Sequence, residues 1–247
     1  MLAATEASAP AQGAGRKTRL YRLSYCYMRM GEQVTRMNQF LAAQMPVFLK
    51  AHAGPLGIFN VFLGPHIPGV VLLHGFSGFS ELDASADRLQ KDAAFQKSLA
   101  ELQQGSEPPF DRLDTVLLET AGYSPEIAPL PERPKSPRIF ELRVYHSPTR
   151  RQLELLHERF GGPEIRIFHR VGIRPVLYAS TLIGPNIPNL TYLTPFASLA
   201  EREKAWEAFG ADPEWTKVRR ESIERGGQIT NQISIALLRP TEFSPIQ

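Results

Sequence analysis

A single cysteine, Cys26, in 247 residues excludes an internal disulfide and any thiolate-based metal site. No apolar run approaches the roughly 20 residues of a membrane-crossing helix, so no transmembrane segment is expected. Charge of one sign is also lacking. Lys and Arg total 28 against 25 Asp and Glu, a net charge of +3. The basic residues are scattered apart from short clusters such as Arg16-Lys17 and Arg219-Arg220. Without a basic stripe or a recognisable module, nucleic acid is not an expected partner. No phosphate-binding glycine loop, nucleophile elbow or metallopeptidase motif occurs. Gly75-Phe76-Ser77-Gly78-Phe79 lacks the Gly-x-Ser-x-Gly spacing. His146, His157 and His169 show no metal-ligand spacing, and a Gly-Gly-Pro break separates the last two. Neither a metal nor a cofactor is expected. The stretch 1–16 is rich in Ala, Gly, Ser and Pro, lacks an apolar segment and carries Glu6 before any basic residue. It reads as a disordered tail rather than a secretory signal or transit peptide. With one thiol in the chain, a cytoplasmic location is the expectation.

What is present is repetition. Gly64-Pro65-His66-Ile67-Pro68 returns as Gly184-Pro185-Asn186-Ile187-Pro188, a shift of 120 positions. The same shift carries Phe40 onto Phe160, Phe48 onto Phe168, Phe76 onto Phe196, Glu81 onto Glu201 and Asp92 onto Asp212. It also carries Tyr123-Ser124-Pro125 onto Phe243-Ser244-Pro245. A loop motif, core aromatics and a strand held in one register imply two copies of one unit. The expected division is a first unit at 17–123, a proline-rich linker at 124–137 and a second unit at 138–247. Five prolines fall within that linker, which favours stiff, extended chain.

Each unit reads as strand, helix, strand, strand, helix, strand. Pro46 should kink or break the first helix, and Gly161-Gly162-Pro163 should interrupt its counterpart. Gly64–Gly69 and Gly184–Asn189 read as hairpin loops. Ser198-Leu199-Ala200-Glu201 is a capping box, and Asp212-Pro213 is a second N-cap with proline at the first helical position. The order βαββαβ is the ferredoxin-like arrangement, with one sheet face left bare. The expected fold class is therefore α+β: two tandem ferredoxin-like units packed sheet to sheet as a pseudo-dimeric α+β barrel.

The first strands alternate. Tyr21, Leu23 and Tyr25, with Phe140, Leu142 and Val144, are expected to face the helices. Arg22, Ser24 and Cys26, with Glu141, Arg143 and Tyr145, are then expected to line the interior between the sheets. There Arg22 or Arg143 could bind an anion with Tyr145 as a donor, or Glu141 could hold an arginine in an internal ion pair joining the units. His74 reads as an acid/base or haem-ligating histidine, or as a buried histidine bonded to backbone. Arg22, His74, Glu141, Arg143 and Tyr145 form the candidate pocket. Cys26 reads as a small buried apolar residue, and His66 as a solvated loop residue.

Leu193-Thr194-Pro195-Phe196-Ala197-Ser198-Leu199-Ala200-Glu201-Arg202-Glu203, followed by Ala211-Asp212-Pro213-Glu214-Trp215, resembles the NIPSNAP family. The opening Ile139–Tyr145 and the ending Leu237–Pro245 are similar to the family's first strand and to the close of its two-unit members. The family often has Trp where this chain has Leu193 or Leu73, and Asp92-Ala93-Ala94-Phe95 departs from the Asp-Pro-Glu-Trp pattern. The resemblance implies the dimeric α+β barrel arrangement and carries over no catalytic residue. It implies mitochondria only by analogy with the animal members. The expected function is that of a soluble binding or interaction protein of undefined activity. Its partner would be a small molecule or another protein, with a homo-oligomer also open. The alternative is a cofactor-free monooxygenase or isomerase-like enzyme, or a haem-binding protein, of the same barrel type.

Overall fold

The computed structural model describes residues 17–105, 107–128, 130 and 132–247; the expected tail at 1–16 lies outside them. The first half runs β1 (Leu20–Tyr27), α1 (Glu32–Ala51), β2 (Leu56–Leu63), β3 (Gly69–Phe76), α2 (Phe79–Lys91), α3 (Ala93–Gln103) and β4 (Arg112–Thr120). The second runs β5 (Ile139–His146), α4 (Arg150–Arg159), α5 (Ile165–Arg170), β6 (Leu177–Ile183), β7 (Asn189–Phe196), α6 (Leu199–Ala211), α7 (Pro213–Gly226) and β8 (Gln232–Pro240). Among the described residues no helix is long and apolar enough to cross a membrane.

The eight strands close into one antiparallel barrel in the order β1-β3-β2-β8-β5-β7-β6-β4. Each half contributes a four-stranded sheet. Their edges meet where β2 pairs with β8 and β4 pairs with β6. Closure pairs these edges toward one end of the barrel; Arg112–Val116 of β4 pair only with β1, and Gln232–Ala236 of β8 only with β5.

The barrel interior is filled by Tyr21, Leu23, Phe59, Val71, Leu73, Leu118, Phe140, Leu142, Leu177, Leu193 and Leu238, drawn from all four strands of each half together with Ala236. The helices form two outer layers. Cys26, Met37, Leu41, Met45, Phe48, Val70 and Phe95 pack beneath α1 and α3. Tyr145, Leu156, Phe160, Phe168, Tyr192, Phe196 and Phe209 pack beneath α4 to α6. The expected parity is therefore inverted. Tyr21, Leu23, Phe140 and Leu142 point into the barrel, whereas Arg22, Cys26, Glu141, Arg143 and Tyr145 point out toward the helices. All eight residues of β3 are buried, because a strand covered on both faces is apolar on both. Alternation then stops marking which side is which.

Two local expectations differ in outcome. Helix α1 runs unbroken through Pro46. Its buried stripe of Met37, Leu41, Met45 and Phe48 against the sheet outweighs the loss of one backbone donor. The counterpart does break: Gly162 leaves helical geometry (φ −101°, ψ −113°), and a wide turn at Phe160–Glu164 separates α4 from α5.

The chain segments after β4 and β8 close one end of the barrel. The Ser124 hydroxyl accepts the Tyr178 amide at 3.0 Å, and the Ser244 hydroxyl accepts the Ile58 amide at 3.0 Å. Each segment thus caps a strand of the opposite half. Ile127 and Ile246 pack against the interior core behind them. The first residues of the proline-rich stretch are consequently part of the barrel floor as well as a connector.

Candidate ligand cavity and helix-sheet clefts

At the end opposite the floor, the barrel opens into a cavity of about 260 Å³ lined by both halves. Its base is Leu23, Leu118, Leu142 and Ala236, and its walls are Tyr25, Tyr27, Val116 and Val144. Alternation along β1 and β5 puts these residues on the inner face. The rim comes from the two hairpin loops: Pro65 and His66 from one, Pro185 and Asn186 from the other. Asn186 holds φ +57°, a left-handed conformation that asparagine tolerates. Its carbonyl accepts the Asn189 side-chain amide at 3.0 Å, while Asn189 Oδ1 accepts the Thr181 hydroxyl at 2.8 Å. His146 Nε2 lies 3.0 Å from Ser234 Oγ, and His66 stands edge-on to Tyr27 with ring centroids 4.9 Å apart. The lining contains no Asp, Glu, Lys or Arg. It offers an apolar bed with a few hydrogen-bonding groups at the opening, the usual make-up of a small-molecule site.

The five expected pocket residues do not form one pocket. They divide between equivalent positions under the two helix layers. Glu141, Arg143 and Tyr145 come together in the second half. The fully buried Glu141 carboxylate accepts Arg202 Nε at 2.8 Å, Trp206 Nε1 at 2.9 Å and Arg143 Nε. Arg143 also reaches the Tyr145 hydroxyl at 3.2 Å and lies 3.7 Å from the centre of the Trp206 ring. Burial opposes charge on Arg143, but Tyr192, Tyr145 and Glu141 together hold its pKa above the usual value. Burial drives the Tyr145 hydroxyl upward. The ion pair foreseen as a bond between units instead ties helix α6 to strand β5 within one half, because Glu141 faces outward. Nearby, burial pushes Glu164 up to about 7 despite a 2.7 Å bond from Arg159.

Arg22 and His74 come together in the first half as directly opposed residues of β1 and β3. His74 is 3% exposed and His52, from the end of α1, 5%. Their rings lie 4.5 Å apart between centroids. None of the four ring nitrogens has a hydrogen-bond partner among the described residues. Burial and the nearby Arg22 guanidinium lower the His52 pKa to about 4, and burial lowers that of His74 well below its usual value. His74 is thus packed in a tilted contact with His52 and edge-on to Phe48 rather than bonded to backbone. Cys26 is buried and its thiol pushed up to about 11 by burial, which makes it an apolar filler.

Sequence reasoning missed His52, Arg202 and Trp206, and it placed His66 and Asn186 in matching loops without seeing that the loops rim one cavity. Arg202 and Trp206 left one signal: they sit four residues apart on a helix, on the same side as the buried Ala205 and Phe209. An arginine placed among core positions calls for a buried acid.

The architecture defines a two-unit α+β barrel protein, and solved structures share it. A candidate monooxygenase from Fusobacterium nucleatum subsp. nucleatum ATCC 25586 superposes with a TM-score of 0.58 at 9% identity, over 91% of this chain and 93% of that one. An anthrone oxidase-like protein gives 0.55 at 13% identity, over 92% and 93%. A NIPSNAP family protein from Agrobacterium tumefaciens str. C58 aligns over 44% of this chain and 94% of its own at 22% identity, with a TM-score of 0.39. No curated protein matches the sequence. Residues 140–245 match the NIPSNAP family model. The second half of the chain is therefore a NIPSNAP-type domain.

Proposed function

We propose that this protein binds a small neutral molecule in the open end of its barrel, acting as a carrier or sensor with no assigned chemistry. The observation that carries the reading is the composition of the cavity: an apolar base, a rim of histidine, asparagine, threonine and serine, and no Asp, Glu, Lys or Arg. A charged ligand would lose its hydration there without a counter-charge to replace it. In this reading the two units at 17–123 and 138–247 are tandem copies joined by 124–137, and the site exists only where both meet. A cytoplasmic location and a homo-oligomer accompany it as proposals.

The test is a fluorescence titration with a neutral aromatic probe, 2-naphthol, beside its anionic analogue 2-naphthoate, each also run on Val144→Trp. The expected result is saturable binding of the naphthol, much weaker binding of the naphthoate, and loss of both in the tryptophan variant. Equal binding of the two probes, or binding indifferent to Val144→Trp in a folded variant, would overturn the proposal. Native mass spectrometry of the purified protein would then identify any molecule retained from the cell.

A second reading is a cofactor-free monooxygenase or isomerase-like enzyme. It draws on the unpartnered His52–His74 pair and on the names of fold neighbours, which at 9–13% identity bear on architecture only. Turnover abolished in His74→Ala with the fold intact would favour it.

A further inference from the structure

The two halves treat one equivalent position in opposite ways. In the second half, β5 presents Glu141 opposite Thr194 on β7. Helix α6 supplies Arg202 and Trp206, so the carboxylate is neutralised and fully bonded. In the first half, β1 presents Arg22 opposite His74 on β3. Helices α2 and α6 are in the same register, with Ser85 and Ala205 as equivalent buried residues. Leu82 and Ala86 therefore stand where Arg202 and Trp206 stand in the other half. The acid has become a base, and both groups that answered it have become apolar. Part of the space so freed is filled by His52 and His74, whose equivalents are Gly172 and Thr194.

The outcome is a cluster in which Arg22 has no ion-pair partner among the described residues and both histidine rings are unbonded. Burial opposes charge on the Arg22 guanidinium, and its one aromatic contact among the described residues is the Phe76 ring, 5.7 Å away. The charged groups of α2 that act on His52 are Glu81 and Arg88. These two are bonded to each other, and Arg88 also donates to the Ala51 carbonyl at 2.9 Å. His52 and His74 together bury four unbonded nitrogens. Leaving that many groups unsatisfied is unusual and calls for a missing occupant. Apolar walls from Phe48 and Phe76 surround them.

We infer that Arg22, His52 and His74 form a binding site for a small carboxylate in the cleft between strands β1 and β3 and helices α1 and α2, separate from the barrel-mouth cavity. A planar guanidinium matches a carboxylate bidentately. Each neutral imidazole supplies one N–H to the remaining lone pairs. One net positive charge suits a monoanion. Arg22 is only partly buried, which provides the route of entry.

The experiment is a long-range ¹H–¹⁵N spectrum of the histidine rings of the full chain, titrated with sodium formate at neutral pH. Sodium chloride at matched ionic strength is the control, and His52→Gln and His74→Gln provide the assignments. Of the six histidines, those at 52 and 74 should shift and saturate, while His66, His146, His157 and His169 stay in place. Arg22→Met should weaken formate binding about tenfold or more, the loss expected for a charge-assisted hydrogen bond. Since it removes an uncompensated buried charge, that variant should melt no lower than wild type. No shift at either ring, or an equal shift with chloride, would overturn the inference using the wild-type protein alone. Unchanged formate affinity in Arg22→Met would also overturn it. Because this site is anionic in preference and the mouth cavity neutral, either assignment can fail without the other.

Discussion

At the scale of single residues, the Glu141 network is where the second half concentrates its polar stability. The carboxylate is fully buried and answers two guanidinium groups and an indole N–H. Removing it leaves Arg143 and Arg202 as uncompensated charges against apolar neighbours. Glu141→Ala should therefore cost about 3–5 kcal/mol in urea unfolding, the range for breaking a buried pair from one side. Glu141→Gln, which keeps an acceptor of similar size, should cost less. A loss below about 1 kcal/mol for the alanine variant would mean that water replaces the carboxylate, as at exposed pairs. Arg22, Glu141, Arg143, Tyr145 and His74 could be singled out from the chain because polar groups in apolar strands are conspicuous. Their grouping could not. It depends on which face of each strand points outward, and on helix residues such as His52, Arg202 and Trp206 that are remote in sequence.

At the scale of elements, most of the fold was legible, because turns and caps are local chemistry. The repeated Gly-Pro-x-Ile-Pro loops sit between β2 and β3 and between β6 and β7, as their composition implies. Ser198 accepts the Glu201 amide at 3.1 Å, and Asp212 accepts those of Glu214 and Trp215 at 2.9 and 3.1 Å. Asp92 accepts only the Phe95 amide, at 2.9 Å. Asp212 is additionally bonded to Arg170 at 2.6 Å. The two caps should then differ in worth. Asp92→Ala should destabilise by about 1 kcal/mol, and Asp212→Ala by somewhat more, since it removes two amide bonds and one of the two carboxylates that hold Arg170. Equal losses would show that the Arg170 pair adds nothing beyond the cap. The element-level errors have a common origin. Pro46 and strand parity were judged from local rules, and in both cases tertiary burial prevailed. A helix pinned along one face tolerates a missing donor, and a strand buried on both faces carries no marker of inside and outside.

At the scale of the molecule, the two halves complete one another, and the closed floor shows it most directly. The segment that follows β4 reaches over to β6, where Ser124 bonds the Tyr178 amide. The segment that follows β8 reaches over to β2, where Ser244 bonds the Ile58 amide. The Ser244 hydroxyl also donates to the Ile246 carbonyl at 2.8 Å, and Thr241 N–H donates to the Ile58 carbonyl at 2.9 Å. Ile246 is thereby turned in beneath the barrel core, 8% exposed. Neither serine bond can form within its own half, although Glu126 of the first arm also accepts the Thr18 amide of its own half at 3.0 Å. Ser124→Ala and Ser244→Ala should each leave a buried strand amide unbonded and cost about 1–3 kcal/mol. Deleting residues 243–247 should cost more than Ser244→Ala, because burial of Ile246 is lost as well, itself worth about 1.5–3 kcal/mol. The urea midpoint should fall in each case with an unchanged slope, since the whole barrel still unfolds as one unit. A second transition confined to one half would instead mean that the halves hold their structure independently, and that the exchanged arms only decorate the floor. A single shifted transition would establish the barrel as one cooperative body, and with it the dependence of the mouth cavity on both halves at once.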